Sequence, residues 1–112
     1  MIKVDNAKGL DEELKKSEKV LALFYASWCP YCVAFVQVFN KKAGDFGTVV
    51  VVHVLLDDYN NPLWDDYGIE AVPTIIFFEK GIISRRLDGR LGAGLNARQL
   101  EEWLQKIRAF IS

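Results

Sequence analysis

The apolar positions of this chain fall into short blocks whose spacing changes from one block to the next. "VLALFY" (20–25) and "TVVVVHVLL" (48–56) are continuous, rich in β-branched residues and of strand length. Such runs predict strands covered on both faces by helices, because a half-exposed strand would alternate. "IKV" (2–4) predicts a further short strand. Leu10 and Leu14, one helical turn apart in "GLDEELKKS", predict a short surface helix whose solvated face carries Glu12, Glu13, Lys15 and Lys16. Residues 33–39 are apolar too, but they follow a Pro suited to a first helical turn and precede the polar "NKKAGDFG". A helix is therefore predicted from about Cys29 to Ala43.

Strand, helix and strand over residues 20–56 make a βαβ unit, whose strands run parallel and whose crossover is right-handed. "NPLWDDYG" (61–68) supplies an N-cap, a Pro at the first helical position and a terminating Gly, which suits a helix of about two turns. "TIIFFEKGIISRRLDG" (74–89) reads as an antiparallel hairpin joined around Glu79, Lys80 and Gly81. Asn96 with Gln99 resembles a capping box, ahead of Leu100, Trp103, Leu104, Ile107 and Phe110 or Ile111 at helical spacing. The order βαβαβαββα predicts an α/β fold, a central five-stranded mixed sheet with helices on both faces. No repeat or linker interrupts it, so one domain over residues 1–112 is expected.

Composition narrows the function classes. Of the 112 residues, 51% are hydrophobic, enough for one core without a metal or disulfide staple. The formal net charge is −1, and the basic pairs Lys15-Lys16, Lys41-Lys42 and Arg85-Arg86 are too thin for a nucleic-acid face. No apolar run approaches the roughly 20 residues a membrane span needs. The opening "MIKVDNAKGLDEELKKSEKV" is charged where a secretory leader would be apolar, so a cytoplasmic protein is expected, with no membrane partner and no need for a second copy.

That setting bears on the two cysteines, Cys29 and Cys32 of "WCPYC" (28–32). Four readings compete: catalytic thiols, half of a metal site, a structural disulfide, or two small apolar residues. A reducing compartment disfavours a permanent disulfide, and so short a loop would stabilise little if closed. Zinc needs four protein ligands in structural sites, and His53, within an apolar strand, is the sole other soft candidate, so no metal is expected. The motif follows a parallel strand directly, where open α/β sheets place their active sites. Cys29 at the start of the next helix meets unpaired N–H groups and the positive end of the helix dipole, which favour an anion such as a thiolate. Cys32, one turn on and turned inward, is expected to be shielded. An exposed thiolate attacking a substrate disulfide, followed by a shielded thiol that resolves the mixed disulfide, is the chemistry this asymmetry serves. Pro30 stiffens the loop where its missing N–H is not needed, and Trp28 and Tyr31 would border a docking surface. The electrons reside in the redox-active pair itself, so no cofactor is expected.

These residues resemble the thioredoxin family over essentially the whole chain: "FYASWCPYC", the "NP" helix ending in "YGI", "AVPTIIFFEKG" and "DGRLGAGL". The resemblance implies a cis Pro73 facing the sulfurs, with the Val72 backbone left free to pair with an extended substrate segment. It also implies that Trp28 and Gly89 to Gly92 border that groove, Gly92 giving close backbone approach. Partners would be protein disulfides and a thioredoxin-reductase-like or dithiol electron donor. Three positions depart from the family pattern. Leu23 stands where the reductases carry a buried Asp that assists proton transfer at the resolving thiol. Pro-Tyr between the cysteines is the glutaredoxin pair and suggests a more oxidising couple. Gln37 replaces a kinking Pro, which predicts a straighter helix.

Glutathione recognition in glutaredoxins uses a Gly-Gly-Asp type turn where this chain has "EKG", so protein disulfides are the expected substrates. Rival readings are a glutaredoxin-like enzyme, an isomerase or oxidase on the same fold, and a peptide-binding module without redox turnover. His53 reads as a satisfied core or edge histidine, Asp57, Asp58, Asp65 and Asp66 as caps and solvated surface, and Trp64 and Trp103 as core packing.

Overall fold

A computed structural model describes residues 2–43 and 47–111, with side chains through 109. The elements are β1 (Ile2–Val4), α1 (Ala7–Lys16), β2 (Lys19–Tyr25), α2 (Pro30–Ala43), β3 (Val50–Leu55), α3 (Leu63–Asp66), β4 (Thr74–Glu79), β5 (Ile82–Leu87) and α4 (Ala97–Ile111). They form one five-stranded sheet in the order β1-β3-β2-β4-β5. β1, β3 and β2 are mutually parallel, while β4 runs antiparallel to both β2 and β5. The sheet is mixed, as the element order predicts.

Of the two continuous apolar runs, β2 meets the expectation in full, whereas in β3 only Val52 to Val54 are buried and Val50, Val51 and Leu55 are half-buried. Every residue of β2 after Lys19 is buried, as are Thr74 to Phe78 of β4, so both faces of the sheet centre are covered. Cys32, Phe35, Phe39 and Ala43 form the buried stripe of α2, and Leu100, Trp103, Leu104 and Ile107 that of α4. Leu10 and Leu14 anchor α1. Among the described residues no helix is long and apolar enough to cross a membrane.

Local chemistry sets the ends. The Asn6 side chain accepts from the Gly9 N–H at 2.7 Å and starts α1. Asn96 and Gln99 cap each other reciprocally, at 2.8 and 2.9 Å, so the capping box is formed. The hairpin closes through Lys80 and Gly81, both with positive φ (52° and 78°), as a two-residue turn matched to strand twist requires.

Three boundaries differ from the sequence reading. α2 begins at Pro30, because the Cys29 carbonyl already accepts from the Cys32 and Val33 N–H groups (3.1 and 3.3 Å) and Cys29 itself is the capping residue. β3 spans Val50–Leu55 rather than 48–56, since Thr48 lies in a turn and β1 and β2 offer partners only from Val50 to Leu55. α3 is a single turn rather than two. Asn61 lies just ahead of it, its side chain accepting from the Leu63 N–H at 3.1 Å, but the backbone leaves helical geometry already at Tyr67 (φ −112°, ψ 9°), one residue before the terminating Gly68 at φ 59°. The Arg86 guanidinium then donates to the Tyr67 and Gly68 carbonyls (2.9 and 3.3 Å) and pairs with Asp88, tying β5 to the end of α3. The apolar positions Phe110 and Ile111 and the stretch Gly44 to Phe46 after α2 lie outside the described side chains.

Phe77, fully buried on β4 between Leu21 and Arg85, tests the sheet centre. Phe77→Ala should lower unfolding free energy by about 3–5 kcal/mol in urea denaturation. A loss below about 1 kcal/mol would place Phe77 outside the core.

Candidate active site

β2 stops at Tyr25, whose carbonyl accepts from the Leu56 N–H at 2.7 Å, and the chain turns through Ala26 to Cys29. Asp57 holds this turn. Its carboxylate accepts from the Ser27 N–H and hydroxyl (2.6 and 2.7 Å), and its carbonyl accepts from the Trp28 indole at 2.9 Å. The two Ser27 hydrogen bonds keep the Asp57 carboxyl below its ordinary 3.8. Asp57 is therefore solvent-exposed, as read from sequence, and in addition clamps the cysteine turn.

The two sulfurs differ in access. Cys32 is wholly buried on the inner stripe of α2, and its thiol is pushed up to about 12, first by burial and then by donating to the Cys29 sulfur. Cys29 is itself only 4% exposed, so the expected exposed sulfur is corrected: Trp28, Tyr31 and the loop ending in Val72 close over it. What sets it apart is that it lines a cavity of about 220 Å³ together with Trp28, Pro30, Tyr31, Val72 and Gly92, which Cys32 does not reach. Its Sγ lies 3.7 Å from the Val72 carbonyl. That carbonyl is thus engaged rather than free, while no hydrogen bond reaches the Val72 N–H among the described residues.

The Val72–Pro73 peptide is cis. Beside it, buried Thr74 donates through Oγ1 to the Ala71 carbonyl at 2.7 Å and accepts from the Gly89 N–H at 3.2 Å. A Cβ on Gly89 would collide with the Pro73 carbonyl oxygen, and one on Gly94, at φ 67°, would sit 2.7 Å from the Tyr31 Cβ. Gly92 has open space beside its Cα and contributes instead its carbonyl, which accepts from the Tyr31 hydroxyl at 2.6 Å. Within the protein, the close contacts that exclude a Cβ are at Gly89 and Gly94.

Across the cavity mouth, Tyr59 lies 5.1 Å from the Trp28 ring and 5.5 Å from the Trp64 ring, centroid to centroid. Trp64 packs partly on the core, as expected, but also lines the cavity and donates its indole N–H to the Asp58 carbonyl at 3.0 Å. Sequence reasoning gave no site role to Asp57, Tyr59, Thr74 or Gly94: Thr74 and Gly94 stand inside quoted motifs that do not reveal their partners, and Asp57 and Tyr59 stand in none. His53 is buried between the edges of Tyr25 and Phe39, with Nε2 unpartnered among the described residues, which corrects the satisfied histidine expected. Burial and then the Lys3 charge hold it below its ordinary 6.5, so it is neutral near pH 7. Among the described residues no cluster of three or more His, Cys, Asp or Glu is placed to hold a metal.

A family model described as Thioredoxin matches residues 1–106. The chain belongs to the thioredoxin family. It is 39% identical over 101 residues to Thioredoxin Y, chloroplastic, of Oryza sativa subsp. japonica, covering 87% of this chain and 58% of that relative. It is 33% identical over 110 residues to Protein disulfide-isomerase A5 of Bos taurus, covering 94% of this chain and 20% of that relative. The chain thus spans less than two thirds of either relative. Among solved structures, a point mutant of the thioredoxin from Halobacterium salinarum superposes with a TM-score of 0.74 at 25% identity, covering 94% of this chain and 88% of that one. The thioredoxin fold is shared throughout.

The Asp57 clamp gives a pH test. Because folding lowers this carboxyl, its stabilisation is complete above the unfolded value of 3.8 and is lost as pH falls from about 4 toward the folded value. Asp57→Asn should therefore be less stable than wild type at neutral pH and show a shallower decline below about pH 4 in urea midpoints. Parallel declines in the two proteins would remove Asp57 from the acid limb.

Proposed function

We propose that this thioredoxin-family chain is a thiol–disulfide oxidoreductase that reduces protein disulfides, carried by a single domain over residues 1–112. The observation that carries the reading is the placement of the two sulfurs: Cys29 caps α2 and lines the cavity, while Cys32 is sealed one turn behind it. Cys29 is the nucleophile. Its thiolate attacks one sulfur of the substrate disulfide, forming a mixed disulfide and releasing the other substrate sulfur as a thiolate that takes up a proton. Cys32 then loses its proton and attacks the Cys29 sulfur. The substrate leaves with two electrons gained, and the Cys29–Cys32 disulfide holds the oxidised state until a dithiol donor or a thioredoxin-reductase-like partner reduces it.

Trp28, Pro30, Tyr31, Val72, Pro73 and Gly92 form the groove for the substrate segment, and the Val72 N–H is a donor available to it. The reading places a monomer in a reducing, cytoplasmic setting, where disulfides between cysteines are usually transient and catalytic. Leu23, fully buried, offers Cys32 no carboxylate, so the second step waits on the thiol's own ionisation.

In an insulin reduction assay, Cys29→Ser should abolish turnover and Cys32→Ser should accumulate the mixed disulfide. Turnover by Cys32→Ser at the wild-type rate would overturn the assignment of roles. In single turnover, release of substrate from the mixed disulfide should accelerate about tenfold per pH unit above neutrality, following the Cys32 thiolate. A flat profile would show that another group takes the proton first.

Leu23 and the Pro30-Tyr31 pair favour a second reading, an isomerase, oxidase or glutaredoxin-like enzyme on the same fold. The reduction potential of the cysteine couple separates the two. About −270 mV marks a reductase, and about −200 mV or above marks the second class.

A further inference from the structure

We propose that the rings of Trp28, Tyr59 and Trp64 form a side-chain subsite that selects disulfides flanked by an aromatic residue in the substrate protein. This rests on the oxidoreductase reading above and names its substrate class. The WCPYC motif supplies only Trp28; Tyr59 and Trp64 come from the segment between β3 and the end of α3.

The patch is built before any partner arrives. Tyr59 is 71% exposed, yet it is tilted by only 35° and 25° from the Trp28 and Trp64 rings, making one continuous aromatic surface. Both indole N–H groups are already satisfied by consecutive carbonyls, those of Asp57 and Asp58. The polar edges of the two indoles are therefore occupied inward, and ring area is what remains for a ligand. Holding so exposed a ring in this arrangement leaves little side-chain entropy to lose on binding.

The occupant follows from what else lines the space. The same cavity is lined by Cys29, so whatever fills it must be continuous with the segment whose disulfide is attacked. At about 220 Å³ the cavity is smaller than the roughly 300–1,000 Å³ of small-molecule sites, which suits one side chain rather than a free cofactor. Its charged lining residues are one acid and one base, Glu70 and Arg90, so charge at the rim cancels and selection falls to the apolar surface. A ring within two residues of the attacked cysteine reaches both the sulfur and the aromatic surface, and offset or edge-to-face packing rewards it beyond simple area burial.

The test uses two disulfide-linked peptide dimers that differ only in the residue beside the cysteine, Phe in one and Ala in the other. Wild-type kcat/KM should favour the Phe peptide by about five- to tenfold. Tyr59→Ala should bring that ratio to within about twofold, and Tyr59→Phe should restore it. Equal wild-type values, or a preference that survives in Tyr59→Ala, would overturn the subsite. Failure of wild type to reduce either peptide would instead overturn the oxidoreductase reading. The subsite is then judged by calorimetric binding to the Cys29→Ser/Cys32→Ser protein: tighter binding of the Phe peptide, lost on adding Tyr59→Ala, supports it, and equal binding refutes it.

Discussion

β2 is hydrogen-bonded along both edges, parallel to β3 and antiparallel to β4, and from Val20 to Tyr25 it is buried on both faces. A slip of one residue would exchange every side chain between the two faces, so the register is firmly set. Once it is set, much of the site follows by counting. Tyr25 pairs with Leu55, and two residues further along both parallel strands come Ser27 and Asp57, the pair whose hydrogen bonds hold the cysteine turn. The clamp is a product of parallel register.

The antiparallel edge works the same way from the other side. Phe24 pairs with Thr74, so Pro73 falls opposite Tyr25, at the end of β2 where the turn to Cys29 begins. Ile75 pairs with Leu87, which carries the same count to Pro73 and Gly89, and Gly89 is where a Cβ would strike the Pro73 carbonyl. Three chain segments far apart in sequence therefore converge beside Cys29 because two strand pairings of β4 and one of β2 with β3 are in phase. The aromatic surface around Tyr59 hangs from the same frame, through the carbonyls of Asp57 and Asp58.

This dependence on register explains what could be read from the residues and what could not. The strands of the sheet centre announce themselves by composition, and the helix-start asparagines Asn61 and Asn96 by local spacing, because both signals are contained in a few neighbouring residues. Asp57 and Asp58 are indistinguishable in sequence. Only the pairing with β2 decides which of them meets Ser27. "DGRLGAG" likewise offers three glycines of equal appearance, and the ones packed tightly are chosen by the position of Pro73 and Tyr31, not by anything near them in the chain. Burial of His53 was legible from its strand, whereas its missing partner was not, since Tyr25 and Phe39 reach it from different elements. Cys29 follows the same logic: position within a helix start was visible, but the loops that cover it are assembled by the sheet.

Burial also divides the chemistry between the two sulfurs in a particular way. The high proton affinity of Cys32 comes chiefly from desolvation and secondly from its hydrogen bond to Cys29. A buried thiol behaves as a small apolar group, and a disulfide is equally neutral, so burial tolerates both end states of the couple. The species it penalises is the Cys32 thiolate that lies between them. On the proposed function, the packing beneath Cys32 would therefore act mainly on how fast the pair closes. How oxidising the couple is depends instead on the reduced state at the start of α2, where Cys29, Pro30 and the Val72 carbonyl meet. On the proposed function, rate and potential would then fall to different parts of one motif, the sheet interior governing the first and the helix start the second.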